Sequence, residues 1–262
     1  MKVTVVTATY NAAATIRDTL RSVAAQSHPD IEHIVIDGAS TDDTMAIVAR
    51  EGRPGTIVVS EPDRGLYDAM NKGLARASGE LIGFLNADDF FCRSDAVARL
   101  AAAAEPGVDA VMGAVAIVGA SDVGAVRRAY GVRSFRPWML HFGHMPPHPG
   151  FYMTRRGRDL VGPFDAAYRI GGDLEWMVRF FLVHRLHAAT VAETLVAFRQ
   201  GGVSTRGLSS LKIINREALR SIRRHGRYTN TGFLWARYLV KAFQYAGRAH
   251  DFPAPPALRW VP

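Results

Sequence analysis

The chain reads as an α/β protein, a mostly parallel sheet flanked by helices, with a helical extension at its C-terminal end. Three observations predict this. Strand-like and helix-like signals alternate four times between Val3 and Ala104, and repeated alternation implies right-handed crossovers and hence parallel strands. Each strand-like run stops at a cluster of polar residues, as strands buried on both faces must when they leave the sheet. The excess of positive charge is confined to the residues after 205.

Val3-Thr-Val-Val-Thr7 is the first strand. Asn11 is placed to cap a helix over about 12–26, where Ile16, Leu20 and Val23 share one face. Ile34-Val-Ile36 is the second strand, and Ser40-Thr-Asp-Asp43 has the form of a capping box opening a helix to about residue 51. Residues 56–60 form the third strand and 66–77 the third helix. Leu81-Ile-Gly-Phe-Leu85 is the fourth strand, followed by a helix over 94–104. One more apolar run extends from Ala110 to Val118. Beyond it Pro, Gly and basic residues dominate to about Arg158. Met145-Pro-Pro-His-Pro-Gly150 is expected as a loop over the sheet edge, because its prolines exclude a helix. Two amphipathic helices are expected between Ser209 and Gly247, separated near Gly226. The expected division is 1–205 for the α/β domain and 206–262 for the helical extension.

A chain of 262 residues can bury a large core. Hydrophobic content of 48% and charged content of 21% are ordinary for a soluble globular protein. Cys92, the only cysteine, excludes an intrachain disulfide and fits a reducing compartment. Beside Phe90 and Phe91 it reads as a small buried hydrophobe, not a nucleophile. Met1-Lys2 runs straight into the first strand with no secretory h-region. The longest uncharged apolar run, Ala110 to Ala120, is shorter than the roughly 20 residues a bilayer requires. The expected location is the cytoplasm. Of the net charge of +8, residues 206–262 supply eleven Lys/Arg against Glu217 and Asp251, while 1–205 carry 21 basic and 22 acidic residues.

The most informative stretch is the fourth strand running into Asn86-Ala-Asp-Asp89. Adjacent carboxylates repel, and Mg²⁺ or Mn²⁺ with a phosphate-bearing substrate relieves that repulsion. The plainer alternative is a strand exit, with Asp89 or Ser94 capping the next helix. The other strand ends add residues suited to a nucleotide. Thr9-Tyr10-Asn11 offers an aromatic ring to stack on a base. Asp37-Gly-Ala-Ser40 offers an acid to accept from a base N–H. Glu61-Pro-Asp-Arg-Gly65 offers Arg64 as a fork for phosphate or base. Each cluster alone is weak, and Asp37-Gly38 alone is more often a plain turn. Four clusters at the ligand-binding edge of one sheet point to a nucleotide. Neither G-x-x-x-x-G-K-[ST] nor G-x-G-x-x-G occurs. Phosphate neutralisation then falls to a metal on the acidic pair, helped by basic side chains.

Val5-Val-Thr-Ala-Thr-Tyr-Asn11, Ile36-Asp-Gly-Ala-Ser-Thr-Asp-Asp-Thr44, Glu61-Pro-Asp-Arg-Gly-Leu-Tyr-Asp-Ala-Met-Asn-Lys-Gly73, Gly79-Glu-Leu-Ile-Gly-Phe-Leu-Asn-Ala-Asp-Asp89 and Gly171-Gly-Asp-Leu-Glu175 resemble the ordered motifs of family 2 glycosyltransferases. They are most similar to bacterial surface-polysaccharide enzymes of the colanic-acid type. The resemblance covers about residues 1–205. It implies a GT-A fold, Rossmann-like in its sheet, a nucleotide-diphospho-sugar donor, Mn²⁺ or Mg²⁺, and inversion at the anomeric carbon. By this resemblance Thr9, Tyr10 and Asp37 bind the base with Arg64 nearby, Asp88 contacts the ribose, and Asp89 holds the metal. Asp173 matches the general base, with Glu175 as an alternative. Read without the resemblance, Asp173 is an N-cap for the helix carrying Trp176, Val178 and Phe181. His148, set among Pro146, Pro147 and Pro149, resembles a position ahead of the acceptor loop. It either lines the acceptor or reaches the metal, or is a surface-loop histidine. Three departures stand out. Asn86 replaces a frequent acid, and Met70 replaces a frequent arginine whose contact Arg64 or Lys72 would take over. Arg199-Gln-Gly-Gly-Val-Ser204 stands where Q-x-x-R-W is found in processive members, so transfer of a single sugar is expected.

In the extension Lys212, Arg216, Arg220 and Arg224 fall on one helical stripe, opposite Leu211, Ile214, Ala218 and Ile222. The next helix carries Phe233, Trp235, Tyr238, Leu239, Phe243 and Tyr245, with Arg237 and Lys241 on its polar side. Either these helices pack on the catalytic domain with a solvated basic face, or they hold the enzyme at an anionic membrane near a lipid-linked acceptor. The acceptor is expected to be a saccharide or lipid-linked hydroxyl. Nucleic acid is not an expected partner, since no recognition motif accompanies the charge. The enzymatic rival is a sugar nucleotidyltransferase, which should carry a Gly-rich basic loop that Ala8 to Thr15 lacks. The non-enzymatic rival is a protein that only binds anionic surfaces.

Overall fold

The computed structural model describes residues 1–201 and 208–237. Its centre is one curled sheet. Strands β1 (Val3–Thr9), β2 (Ile31–Asp37), β3 (Ile57–Ser60) and β4 (Leu81–Phe84) are parallel, in the order β3-β2-β1-β4. Their crossovers are α1 (Ile16–Ala24), α2 (Thr44–Glu51) and α3 (Leu66–Arg76). This is the half that alternation in the sequence foretells. β1 is buried at every residue, which its unbroken β-branched and small composition allows.

The other half mixes directions. β5 (Phe90–Phe91), α4 (Ala96–Ala103), β6 (Ala110–Val118), β7 (Val126–Tyr130), β8 (Phe151–Thr154), α5 (Arg155–Val161), α6 (Gly172–Val178) and β9 (Ala188–Arg199) follow, and the sheet continues β4-β8-β6-β9-β5. β8 runs antiparallel to β4 and to β6, whereas β6 and β9 are parallel. Of these strands only β6 is announced by the sequence. β7 reads Val-Arg-Arg-Ala-Tyr, and β9 carries Thr190, Glu193 and Thr194 and shifts register against β6, so neither shows a clean two-residue period.

Helix starts differ from the sequence expectation for local reasons. Asn11 adopts φ 46° and accepts from the Thr41 amide, so α1 begins only at Ile16. Asp42, not Ser40, accepts from the Thr44 amide at the start of α2. Neither Asp89 nor Ser94 caps α4, whose first helical residue follows Asp95. The Pro-rich segment closes into one 3-10 turn, His148–Gly150.

α7 (Leu208–Arg224) packs against α6, with Ala218 and Ile222 fully buried in the same cluster as Phe84, Phe164 and Trp176. Chain 231–237 is helical again. Arg237, expected on a polar face, is instead buried and donates to the Gly143 carbonyl and Asn215 Oδ1. Tyr238, Leu239, Lys241, Phe243 and Tyr245 lie outside the described residues. No helix among the described residues is long and apolar enough to cross a membrane.

Candidate active site

The parallel strands bring their polar ends to one edge. Thr9 of β1 stands opposite Asp37 of β2, which stands opposite Ser60 of β3. Asp37 is fully buried, and Ser60 Oγ (2.6 Å) and the Ser40 amide (3.0 Å) donate to its Oδ2. Ser40 Oγ donates to its other oxygen. The carboxylate is thus held in place by loop hydroxyls, a role local sequence does not reveal. Thr9 is buried and its hydroxyl has no partner among the described residues. Tyr10 is 63% exposed. A Cβ built on Gly38 would meet Asp63 Oδ2 at 2.5 Å and the Tyr10 ring at 3.3 Å. The loops after β1, β2 and β3 therefore converge, and Asp63, not singled out in the sequence, belongs to the group. Arg64 is exposed and paired with Asp68 one helical turn on. Met70 lies in the core, and Lys72 is engaged with Glu61 at 3.2 Å.

The acidic pair sits just past β4, as the apolar run predicts. Asp88 is partly buried and Asp89 fully so. Asp89 Oδ1 accepts from the Arg199 amide at 3.2 Å, while Oδ2 is buried without a partner. Burial, then the neighbouring Asp88 charge, raises the Asp89 carboxyl well above its ordinary range. Burial also raises Asp88, opposed by the Arg199 charge. Arg199 binds the Asp18 carboxylate and donates to the Asp88 carbonyl, so it braces this turn from β9. An unpartnered carboxylate oxygen beside a second carboxylate suits a divalent cation. Among the described residues no group of three or more His, Cys, Asp and Glu could hold an ion alone. The pair therefore fits an ion that also takes oxygens from a bound anionic substrate.

Asp173 lies against the first turn of α3. Tyr67, in the first turn of α3, donates to the Ile170 carbonyl and lies 3.4 Å from Asp173 Oδ1. A Cβ on Gly172 would lie 2.7 Å from the Tyr67 ring, so only glycine permits this approach. Asp173 does not cap α6; Gly171 holds that position, and Asp173 Oδ1 accepts from the Leu174 amide. Burial raises the Asp173 carboxyl to about 6, against its backbone and Tyr67 hydrogen bonds, and the Glu217 charge adds to the rise. Glu175 is differently placed. Arg179 and His225 occupy its carboxylate, with His225 Nε2 at 2.8 Å.

His148 is no surface-loop residue. It is buried and stacked on Phe84 at 5.5 Å, with Phe164 and Trp176 edge-on, and burial lowers it to about 4. The prolines around it enforce the turn that turns it into the core. Cys92 donates to the Thr194 carbonyl, and burial pushes its thiol up to about 11, so it is no nucleophile.

One residue with no local signal stands out. Glu217 of α7 accepts from three successive amides, those of Arg169 (2.8 Å), Ile170 (3.0 Å) and Gly171 (2.7 Å). It thereby clamps the turn that carries Asp173. Each amide stripped of this partner would cost about 1–3 kcal/mol. Glu217→Ala is expected to lower unfolding free energy in urea by more than about 3 kcal/mol, whereas exposed Arg216→Ala should stay within about 0.5 kcal/mol. Equal stabilities would remove the clamp.

The family model described as glycosyl transferase family 2 matches residues 4–168. An uncharacterized glycosyltransferase of Mycobacterium tuberculosis is 31% identical over 214 residues, covering 78% of this chain and 77% of that protein. A PGL/p-HBAD biosynthesis glycosyltransferase of Mycobacterium bovis is 30% identical over 223 residues, covering 82% and 81%. Among solved structures, S. aureus TarS residues 1–349 in complex with UDP-GlcNAc aligns with a TM-score of 0.66 at 18% identity, over 94% of this chain and 73% of that one. The mannosyltransferase PcManGT from Pyrobaculum calidifontis, in complex with GDP-Man and Mn²⁺, aligns with a TM-score of 0.64 at 22% identity, over 96% and 76%.

Proposed function

The chain belongs to glycosyl transferase family 2, and from that premise we propose that it moves one sugar from a nucleotide-diphospho-sugar to an acceptor hydroxyl with inversion at the anomeric carbon. Asp173 is the base in this reading. It takes the acceptor proton while the acceptor oxygen bonds to the anomeric carbon. The bond from that carbon to the diphosphate oxygen breaks, and the leaving nucleotide diphosphate keeps the electron pair. Asp37 and Tyr10 receive the base with Thr9 and Arg64 beside them, and Asp88 receives the ribose. Asp89 would hold Mn²⁺ or Mg²⁺, whose charge would offset that growing on the leaving nucleotide diphosphate. The observation that carries this reading is Tyr67. Its hydroxyl meets Asp173 from the first turn of α3, the helix that follows Arg64, and this supports placing the base beside the donor edge.

A carboxyl raised to about 6 by burial suits a base working near neutral pH. Glu175, already paired with Arg179 and hydrogen-bonded to His225, is a poorer one. One relative is named for PGL/p-HBAD biosynthesis; in this reading the setting is polysaccharide or glycolipid assembly, with a saccharide or lipid-linked acceptor at the inner face of the plasma membrane. Assignment to the colanic-acid type rests on motif resemblance alone.

The test is thermal stabilisation against a panel of nucleoside diphosphates, with and without Mn²⁺. A shift for one nucleotide that requires the metal is the expected result. No shift with any nucleotide would return the strand-end acids to a structural role.

A further inference from the structure

Two long stretches of this chain contain no acidic residue. Residues 123–158 and 218–250 each carry seven basic side chains and no Asp or Glu. The fold brings parts of these stretches together. Phe142 stacks on Phe233 with ring centres 4.4 Å apart and planes within 6°. The Tyr228 carbonyl is 2.6 Å from His141 Nδ1, Thr229 donates to the His141 carbonyl, and Arg237 donates to the Gly143 carbonyl.

What this junction presents to solvent is aromatic. Trp138 meets the edge of Phe142, and Tyr228 meets the edge of Phe233. Trp138 is 57% exposed, Tyr228 68% and Trp235 60%, and they include both tryptophans that are exposed among the described residues. Arg237 also reaches Asn215 of α7, which sets the junction beside exposed Lys212 and Arg216 and beside Leu211, which is 38% exposed and not on a buried stripe as its helical spacing predicts. Farther along α7 Arg220 and Arg224 share the single Asp165 carboxylate.

We propose that the face formed by Trp138, Tyr228, Trp235, Leu211, Lys212 and Arg216 docks on an anionic lipid bilayer. Tryptophan and tyrosine settle where a bilayer meets water, because their rings are apolar and their polar tips stay wet. Lys and Arg next to such rings meet the acidic headgroups, and each multiplies binding by about fivefold. Leu211 adds apolar surface that a phosphate-reading nucleic-acid site would not need. The proposal stands apart from the catalytic assignments, because none of these residues belongs to the strand-end crevice.

The experiment is co-sedimentation of the full chain with vesicles of phosphatidylcholine alone or with about one-third phosphatidylglycerol, at low and high salt. Binding should require phosphatidylglycerol, weaken in high salt and shift tryptophan emission to shorter wavelength. The double variants Trp138→Ala/Trp235→Ala and Lys212→Glu/Arg216→Glu should each bind at least about tenfold more weakly. Both should keep the wild-type melting temperature and nucleotide-dependent stabilisation. Wild-type vesicle binding by both variants would overturn the proposal, as would equal binding to neutral vesicles. Preference for a single-stranded oligonucleotide over the anionic vesicles would overturn it too. A chain that ignores vesicles but is stabilised by nucleotide loses this surface and keeps its catalytic reading.

Discussion

Asp173→Asn is expected to keep nucleotide affinity and lose about 10²–10⁴-fold in kcat, the usual contribution of a general base. The amide keeps the shape and can still accept from Leu174 and Tyr67, so the fold should survive. It cannot take the acceptor proton. In the wild type, burial sets the Asp173 carboxyl near 6, and only its deprotonated form accepts. kcat/KM should therefore climb as pH rises through about 6 and level off above it. The variant should lack that limb. Near-wild-type turnover, or an unchanged acid limb in the variant, removes Asp173 as the base.

Asp89→Ala should abolish the advantage that Mn²⁺ confers on nucleotide binding. Loss of mere supporting contacts to a metal ligand costs about 10–100-fold, so losing a ligand should cost at least about 100-fold in calorimetric affinity with Mn²⁺ present. Affinity measured without metal should change far less, and that contrast separates metal loss from general damage. The control matters because Asp89 also accepts from the Arg199 amide. Unchanged affinity in Mn²⁺ would end the metal assignment.

The parallel half of the sheet and its strand-end residues were legible because their signals are local. An apolar run followed at once by polar residues says where a strand stops and what lies at its end. The antiparallel half was opaque for the opposite reason. β8 has four residues behind a Pro-rich turn, β7 carries two arginines, and β9 owes its place to β6. For His148 the sequence leaves a surface loop open as one alternative, because proline-rich segments usually run over surfaces; the structure removes it, since Phe84, Phe164 and Trp176 surround the ring. Glu217 left no trace at all. It acts on amides 46 to 48 residues upstream, and amides carry no side-chain signature. Arg237 shows the limit of helical periodicity, since it is buried and donates to a carbonyl and an asparagine where the pattern predicts a polar face.

Thr9, Asp37 and Ser60 occupy one rung across three strands, and this has an evolutionary consequence. Inserting or deleting one residue within β1 or β2 would turn that strand's inward residues outward and carry Asp37 off the rung. Descendants can lengthen, shorten or rewrite the loops beyond the strand ends in small steps. The rung itself admits no half-measures and is inherited whole or lost. Chains that share only 18% to 22% of their residues with this one still trace its frame.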